Sequence, residues 1–230
     1  MKKPGIIGGI GPESTLDYYR GIIDAFKDTY PESGYPEMLI DSINLKTVLM
    51  LADKDDWFAM AELLAFHFEL LRKSGADFGV IASNTPHRVF GEIQSQTQLP
   101  LISIVEATCA HIGKLGISNV MLLGTGYTMR SGFYADALAR HGIAAVVPAP
   151  EEIDYIQEKL MTEIELGIIK PETKKGILDI IGRIERESET EGVILGCTEL
   201  PLIIGKDDIR THYIDTMRIH IGRIVDEIRK

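Results

Sequence analysis

Short apolar runs alternate with longer stretches whose apolar residues recur every three or four positions, the pattern of an α/β protein built on parallel strands. The short runs predict strands near residues 5–9, 38–43, 78–82, 101–104, 120–124, 144–147, 192–195 and 213–214. A first helix is expected to start after Gly11-Pro12, because proline suits the first helical turn, with Glu13 and Asp17 where the helix dipole favours negative charge. A second covers residues 55–73, with Phe58, Leu63, Leu64, Phe66, Leu70 and Leu71 as its apolar positions and Ser74-Gly75 as its stop. Residues 151–166 and 171–187 read as two further, exposed helices.

The chain is weakly duplicated. Ile6-Ile7-Gly8-Gly9-Ile10-Gly11 has an echo in Leu122-Leu123-Gly124-Thr125-Gly126, and Gly79-Val80-Ile81-Ala82-Ser83-Asn84-Thr85 has one in Gly192-Val193-Ile194-Leu195-Gly196-Cys197-Thr198. Within each half the two elements lie about 75 positions apart. Two like halves imply two α/β lobes related by a pseudo-twofold, with equivalent strand ends facing a cleft. Ligands of open α/β sheets sit at such carboxyl ends.

Composition narrows the function. The 230 residues are 45% hydrophobic and carry 34 acidic against 24 basic side chains, a net charge of −10. That is a folded globular composition, and its charge argues against a nucleic-acid partner. No apolar run is long enough for a membrane span. Gly8-Gly9 interrupts the first apolar run too early for a signal-peptide core, and two cysteines without a CxxC suit a reduced, cytoplasmic compartment.

Four blocks carry candidate chemistry. Gly8-Gly9-Ile10-Gly11-Pro12-Glu13-Ser14-Thr15 is a strand-to-helix turn. It is neither a dinucleotide fingerprint nor a P-loop, and it suits a carboxylate-sized anion or is a tight turn only. Ser83-Asn84-Thr85-Pro86-His87 ends a buried strand, as a carboxylate site or as a helix cap. Gly124-Thr125-Gly126-Tyr127-Thr128 offers hydroxyls for a second oxyanion, or a plain hydroxyl turn. Gly196-Cys197-Thr198-Glu199-Leu200-Pro201 ends the strand matching that of Ser83. Cys197 directly precedes an expected helix start, where the dipole would lower a thiol pKa. Cys109 has no such setting and is assigned to packing.

These blocks resemble the cofactor-independent aspartate/glutamate racemase superfamily over nearly the whole chain. The resemblance implies two pseudo-symmetric domains, residues 1–105 with 215–230 and residues 106–214, each with a four-stranded parallel sheet flanked by helices. It places the active site in the cleft between them. It implies no metal or other cofactor, an amino-acid substrate and a homodimer. Family members use two cysteines on opposite faces of the substrate α-carbon, one as base and one as acid. Here Cys197 matches one, and Ser83 stands in place of the other. Ile10, Gly11, Asn84, Thr85, Thr125, Thr128 and Thr198 are the expected substrate-binding residues, with Lys46, Arg88 or Arg130 for a distal carboxylate. Serine is a poor base near pH 7, so the two directions of racemisation are expected to be unequal. The alternatives are an arylmalonate-type decarboxylase with a single cysteine and a non-catalytic amino-acid-binding homologue.

Overall fold

The computed structural model describes residues 1–230, the side chain of Ser33 excepted. The chain forms two compact units, Met1–Ile104 with Met217–Lys230, and Val105–Thr216. The first runs β1 (Pro4–Gly8), α1 (Pro12–Thr29), β2 (Leu39–Ser42), α2 (Leu45–Asp53), α3 (Trp57–Lys73), β3 (Phe78–Ile81), α4 (Phe90–Gln96) and β4 (Leu101–Ile102). The second runs α5 (Ile104–Leu115), β5 (Asn119–Gly124), α6 (Gly126–Arg130), α7 (Phe133–Arg140), β6 (Ala144–Val146), α8 (Pro150–Thr162), α9 (Pro171–Ser188), β7 (Gly192–Gly196) and β8 (His212–Asp215). Helix α10 (Thr216–Ile228) returns to the first unit.

Each unit holds one parallel four-stranded sheet, ordered β2-β1-β3-β4 and β6-β5-β7-β8. The orders are the same when the second set is read as a repeat of the first, so β3 and β7 are equivalent strands. The central strands β1, β3 and β7 are buried at every position, whereas the edge strand β2 alternates. Helices on both faces of a parallel sheet produce this, which is why the central strands read as unbroken apolar runs.

The core of the first unit joins Ile6 and Val80 of the sheet to Tyr18, Ile22 and Phe26 of α1 and to Ile221, Val225 and Ile228 of α10. The core of the second joins Met121, Leu123, Val193 and Leu195 to Ile153, Ile156 and Leu160 of α8 and to Ile177, Ile181 and Ile184 of α9.

Three helix expectations need correction. Helix α3 starts at Trp57, because Asp56 caps it by accepting the Ala59 N–H at 3.1 Å and Asp55 sits in the preceding turn at φ +55°. Its core face is Trp57, Met60, Ala61, Leu64, Ala65, Phe68 and Leu71, while Phe58, Phe66 and Leu70 are exposed. Helix α8 stops at Thr162, and a separate 3-10 turn covers Ile164–Leu166. At that break the Glu163 carboxylate binds Lys159, Lys170 and Thr173 in place of continuing the helix. Helices α2, α4, α5, α6, α7 and α10 add to those the apolar periodicity picked out.

The sheet is closely packed where β7 ends. A methyl group on Gly196 would lie 2.8 Å from the Leu123 carbonyl oxygen and 3.1 Å from Leu122 Cδ1. Gly196→Ala is therefore expected to destabilise the protein by ~1–3 kcal/mol, the usual range for overpacking. Urea denaturation checks this, and an unchanged midpoint would mean that β5 and β7 have room to spare.

Candidate active site

Cys197 follows the last residue of β7 and is 5% exposed. Its thiol donates to Glu199 Oε2 at 2.9 Å, and the Thr198 hydroxyl donates to the same oxygen at 2.9 Å. One ligand atom each of Glu165, Cys197 and Glu199 lies within 4.8 Å of the others. It is the one grouping of His, Cys, Asp and Glu among the described residues close enough to hold a metal ion. Burial pushes the thiol well above its ordinary pKa, and the Glu199 carboxylate adds to that by its charge and its hydrogen bond, against a smaller opposing pull from the Glu199 backbone N–H. The expectation of a thiol pKa lowered by a helix dipole is thus overturned. The segment after Cys197 is only a three-residue 3-10 turn, Leu200–Leu202, with no α-helical dipole of consequence. Burial and then the Glu199 charge push the Glu165 carboxyl up to about 7. Cys109, on α5, is fully buried, and desolvation first, then the Glu106 charge, pushes its thiol up to about 12. It packs.

In the first unit Ser83 and Asn84 follow β3 and are 9% and 4% exposed. Asn84 occupies the capping position of a 3-10 turn, Thr85–Val89, but its side chain makes no capping bond. Below it His87 stacks on Phe90 at 5.1 Å between centroids and accepts the Ile104 N–H on Nε2 at 3.3 Å. His220 joins it edge-on, with Nδ1 2.8 Å from the Tyr18 hydroxyl and Nε2 3.1 Å from the Ile102 carbonyl oxygen. This network fixes the strand ends beside Ser83, and His87 serves structure there.

Burial, ahead of every other influence, lowers His87 to about 4 and His220 to about 3. Both rings are neutral in the fold, whereas in the unfolded chain each takes a proton near pH 6.5. The unfolded state then binds more protons below pH 6.5, so stability is full above that pH and falls as pH drops toward 4 and then 3. The expected loss is on the order of several kcal/mol over that window, at 1.36 kcal/mol per pH unit for each ring. Unfolding free energies between pH 6.5 and 4.5, in the parent and in His87→Gln, measure it. A flat profile in the parent would mean that the rings titrate normally.

The remaining expected residues divide. Gly9, at φ +80°, turns the chain out of β1, and its N–H is taken by the Thr15 hydroxyl at 2.8 Å. That leaves the turn with fewer donors for an anion than its glycine content implies. Ile10 is buried, Gly11 is half-buried and precedes α1 as its cap, and Pro12 is the first helical residue. Thr125 caps α6, accepting the Thr128 N–H at 3.2 Å, and its hydroxyl lies 3.1 Å from that of Thr128. The two hydroxyls thus meet in a local turn. Arg130 binds Asp154 Oδ1 at 2.7 Å and the Pro150 carbonyl oxygen at 3.2 Å. Arg88 lies 3.3 Å from Asp55 Oδ1 and 4.2 Å over the Trp57 ring. Of the three candidate cations only Lys46, exposed on α2, has its charge uncommitted among the described residues.

Glu199 stands in the last of the four blocks with no role evident from the sequence, and Glu165 lies outside all four. The i, i+2 spacing of Cys197 and Glu199 could have flagged the first. Nothing local flags Glu165, which sits in the 3-10 turn after α8 with a carboxylate oxygen within 4.8 Å of the thiol sulfur.

A sequence model described as Asp/Glu/Hydantoin racemase matches residues 7–224. The chain belongs to that family. It is 32% identical to the Bacillus subtilis protein "Broad specificity amino-acid racemase RacX" over 142 residues, 60% of this chain and 61% of that one. The chain thus spans about three fifths of that relative's length. The crystal structure of an aspartate racemase homologue from Pyrococcus horikoshii OT3 matches over 100% of both chains, with 36% identity and a TM-score of 0.88. A Yersinia pestis crystal structure, provisionally described as an Asp/Glu racemase, matches over 100% of both chains, with 32% identity and a TM-score of 0.93. The two four-stranded parallel sheets flanked by helices are thus those of the Asp/Glu racemase structures. No helix among the described residues is long and apolar enough to cross a membrane.

Proposed function

We propose that the protein racemises an acidic amino acid, aspartate or glutamate, by moving a proton at the α-carbon without a cofactor. The observation that carries this reading is Cys197: a thiol at the carboxyl end of a central strand, hydrogen-bonded to a carboxylate, in a chain of the racemase family. Racemisation takes the α-proton from one face and returns a proton to the other, so it needs a base and an acid together. Cys197 serves one face and Ser83, which follows the equivalent strand, serves the other. Asn84, Thr85 and Thr198 are the donors for the substrate carboxylate as charge builds on it. Ile10, Gly11, Thr125 and Thr128 shape the turns beside them, and Lys46 is the cation for a distal carboxylate. The protein works as a homodimer in the cytoplasm.

The test is solvent deuterium exchange at the α-carbon, followed by NMR, for each enantiomer of aspartate and glutamate. Exchange with at least one enantiomer is expected. Binding without exchange would instead mark an amino-acid-binding protein. Carbon dioxide release from an arylmalonate would mark a decarboxylase.

A further inference from the structure

We infer that the outer face of α3 is a self-association surface, on which a second copy of this chain lays its own α3 antiparallel. The inference rests on the homodimer reading and names the face that makes it. Helix α3 already uses one apolar face for the core of its unit, through Met60, Leu64, Phe68 and Leu71. On the opposite side Ala59, Leu63, Phe66 and Leu70 follow one another at steps of four, three and four positions. That is the spacing of a helix–helix seam. Ala59 and Leu63 are half-buried, Phe66 and Leu70 are exposed, and Phe58 beside them is 71% exposed. Helix α2, packed against α3, adds the exposed Met50. Nothing within one copy covers these side chains, and a contiguous apolar face of this kind marks an interaction site.

Charge selects the occupant. The chain carries −10 overall, which opposes self-association. On α3, however, Glu62 and Glu69 are balanced by Arg72 and Lys73, and Glu69 lies 2.7 Å from Arg72 and 3.6 Å from Lys73. The helix is also polar from end to end, with Asp55 and Asp56 just before its start and Arg72 and Lys73 in its last turn. An antiparallel copy sets acid against base at both ends of the seam, whereas a parallel one sets like against like. A twofold contact must be self-complementary. Centring the twofold between Leu63 and Phe66 pairs Leu63 with Phe66 of the partner subunit and Ala59 with Leu70 of the partner subunit. The small Ala59 leaves room for the larger leucine. The same register brings Asp56 to Lys73 of the partner subunit. A second exposed apolar group, Leu166, Ile168 and Ile169, lies in the turn after α8 and just beyond it, with no helical face to pair.

Two measurements, neither using substrate, test the surface and its register. In sedimentation equilibrium at micromolar concentration the parent should show the mass of two chains. Phe66→Glu should weaken that dimer by ~30-fold or more, the loss expected of a central interface residue. Phe66 is exposed within one copy, so this variant should keep the parent's far-ultraviolet circular dichroism. Leu166→Glu, equally exposed but on the other unit, should leave the dimer intact. The register is read by oxidising a chain that carries both Ala59→Cys and Leu70→Cys. It should run as a disulfide-linked dimer on a non-reducing gel, while neither substitution alone should cross-link. Along one helix the two positions are about 16 Å apart at ~1.5 Å per residue, too far for a bridge within the chain. The native Cys109 and Cys197 are buried. A cross-link from either single variant would mark a parallel pairing and overturn the inference. A parent that stays monomeric, a Phe66→Glu dimer as tight as the parent's, a dimer that Leu166→Glu breaks equally, or paired cysteines that fail to link would overturn it as well. With no substrate present, such a failure leaves the racemisation reading standing, and a parent that exchanges no α-proton leaves this surface standing.

Discussion

Replacing Cys197 by serine should cut α-proton exchange by ~10²–10⁴-fold at pH 7, the usual worth of a general acid–base group. The substitution exchanges sulfur for oxygen at a site 5% exposed, so the fold should accept it. The hydroxyl can still donate to Glu199, but a serine gives up its proton far less readily than a thiol. The control is Cys109→Ser on α5. That thiol is fully buried and pushed to about 12, so its loss should leave exchange within a few fold of the parent. Both variants should be checked by thermal unfolding. Equal losses in two well-folded variants would remove Cys197 from its proposed role.

Ser83→Cys should speed racemisation, and unequally for the two enantiomers. On the proposed reading, only the face served by Cys197 carries a thiol, which gives up a proton more readily than the hydroxyl on the other face. The other enantiomer presents its α-proton to Ser83, whose hydroxyl is almost never ionised there. Exchange should be fast for one enantiomer and slow for the other. A thiol at position 83 supplies the missing base, and the slow enantiomer should gain at least ~10-fold, the low end of what such a group contributes. Ser83 is 9% exposed, and the small added volume is tolerable there. The neighbour at the Ser83 strand end is His87, whose ring is kept neutral by burial, so it adds no positive charge to hold a thiolate there. Initial exchange rates for both enantiomers, in parent and variant, decide the matter. Equal rates in the parent, or no gain for the slow enantiomer, would remove Ser83 from the second face.

The sequence by itself determined most of the architecture. All eight strands lie where the apolar runs put them, because central strands of a parallel sheet are buried on both faces and must be apolar throughout. The internal echoes foretold that the two sheets share one strand order, since a repeated sequence repeats its topology. That Ser83 and Cys197 follow equivalent strands was legible because β3 and β7 end in echoing segments. Helices were harder. The short α2, α6 and α7 offer too few turns for a period to emerge, and the apolar residues of α3 lie on both faces, so composition could not say which was the core. Tertiary structure alone decided the electrostatics of the candidate site. A thiol's proton affinity depends on what desolvates it and which charges stand within a few ångströms, and neither is a property of neighbours in sequence. The 3-10 turn after α8 holds Glu165 near Cys197 across 32 positions of chain, and the turn after β7 is too short to act as a helix dipole. Distances of that kind are set by how helices pack on the sheet, so the direction of the Cys197 shift became readable only once the chain was folded.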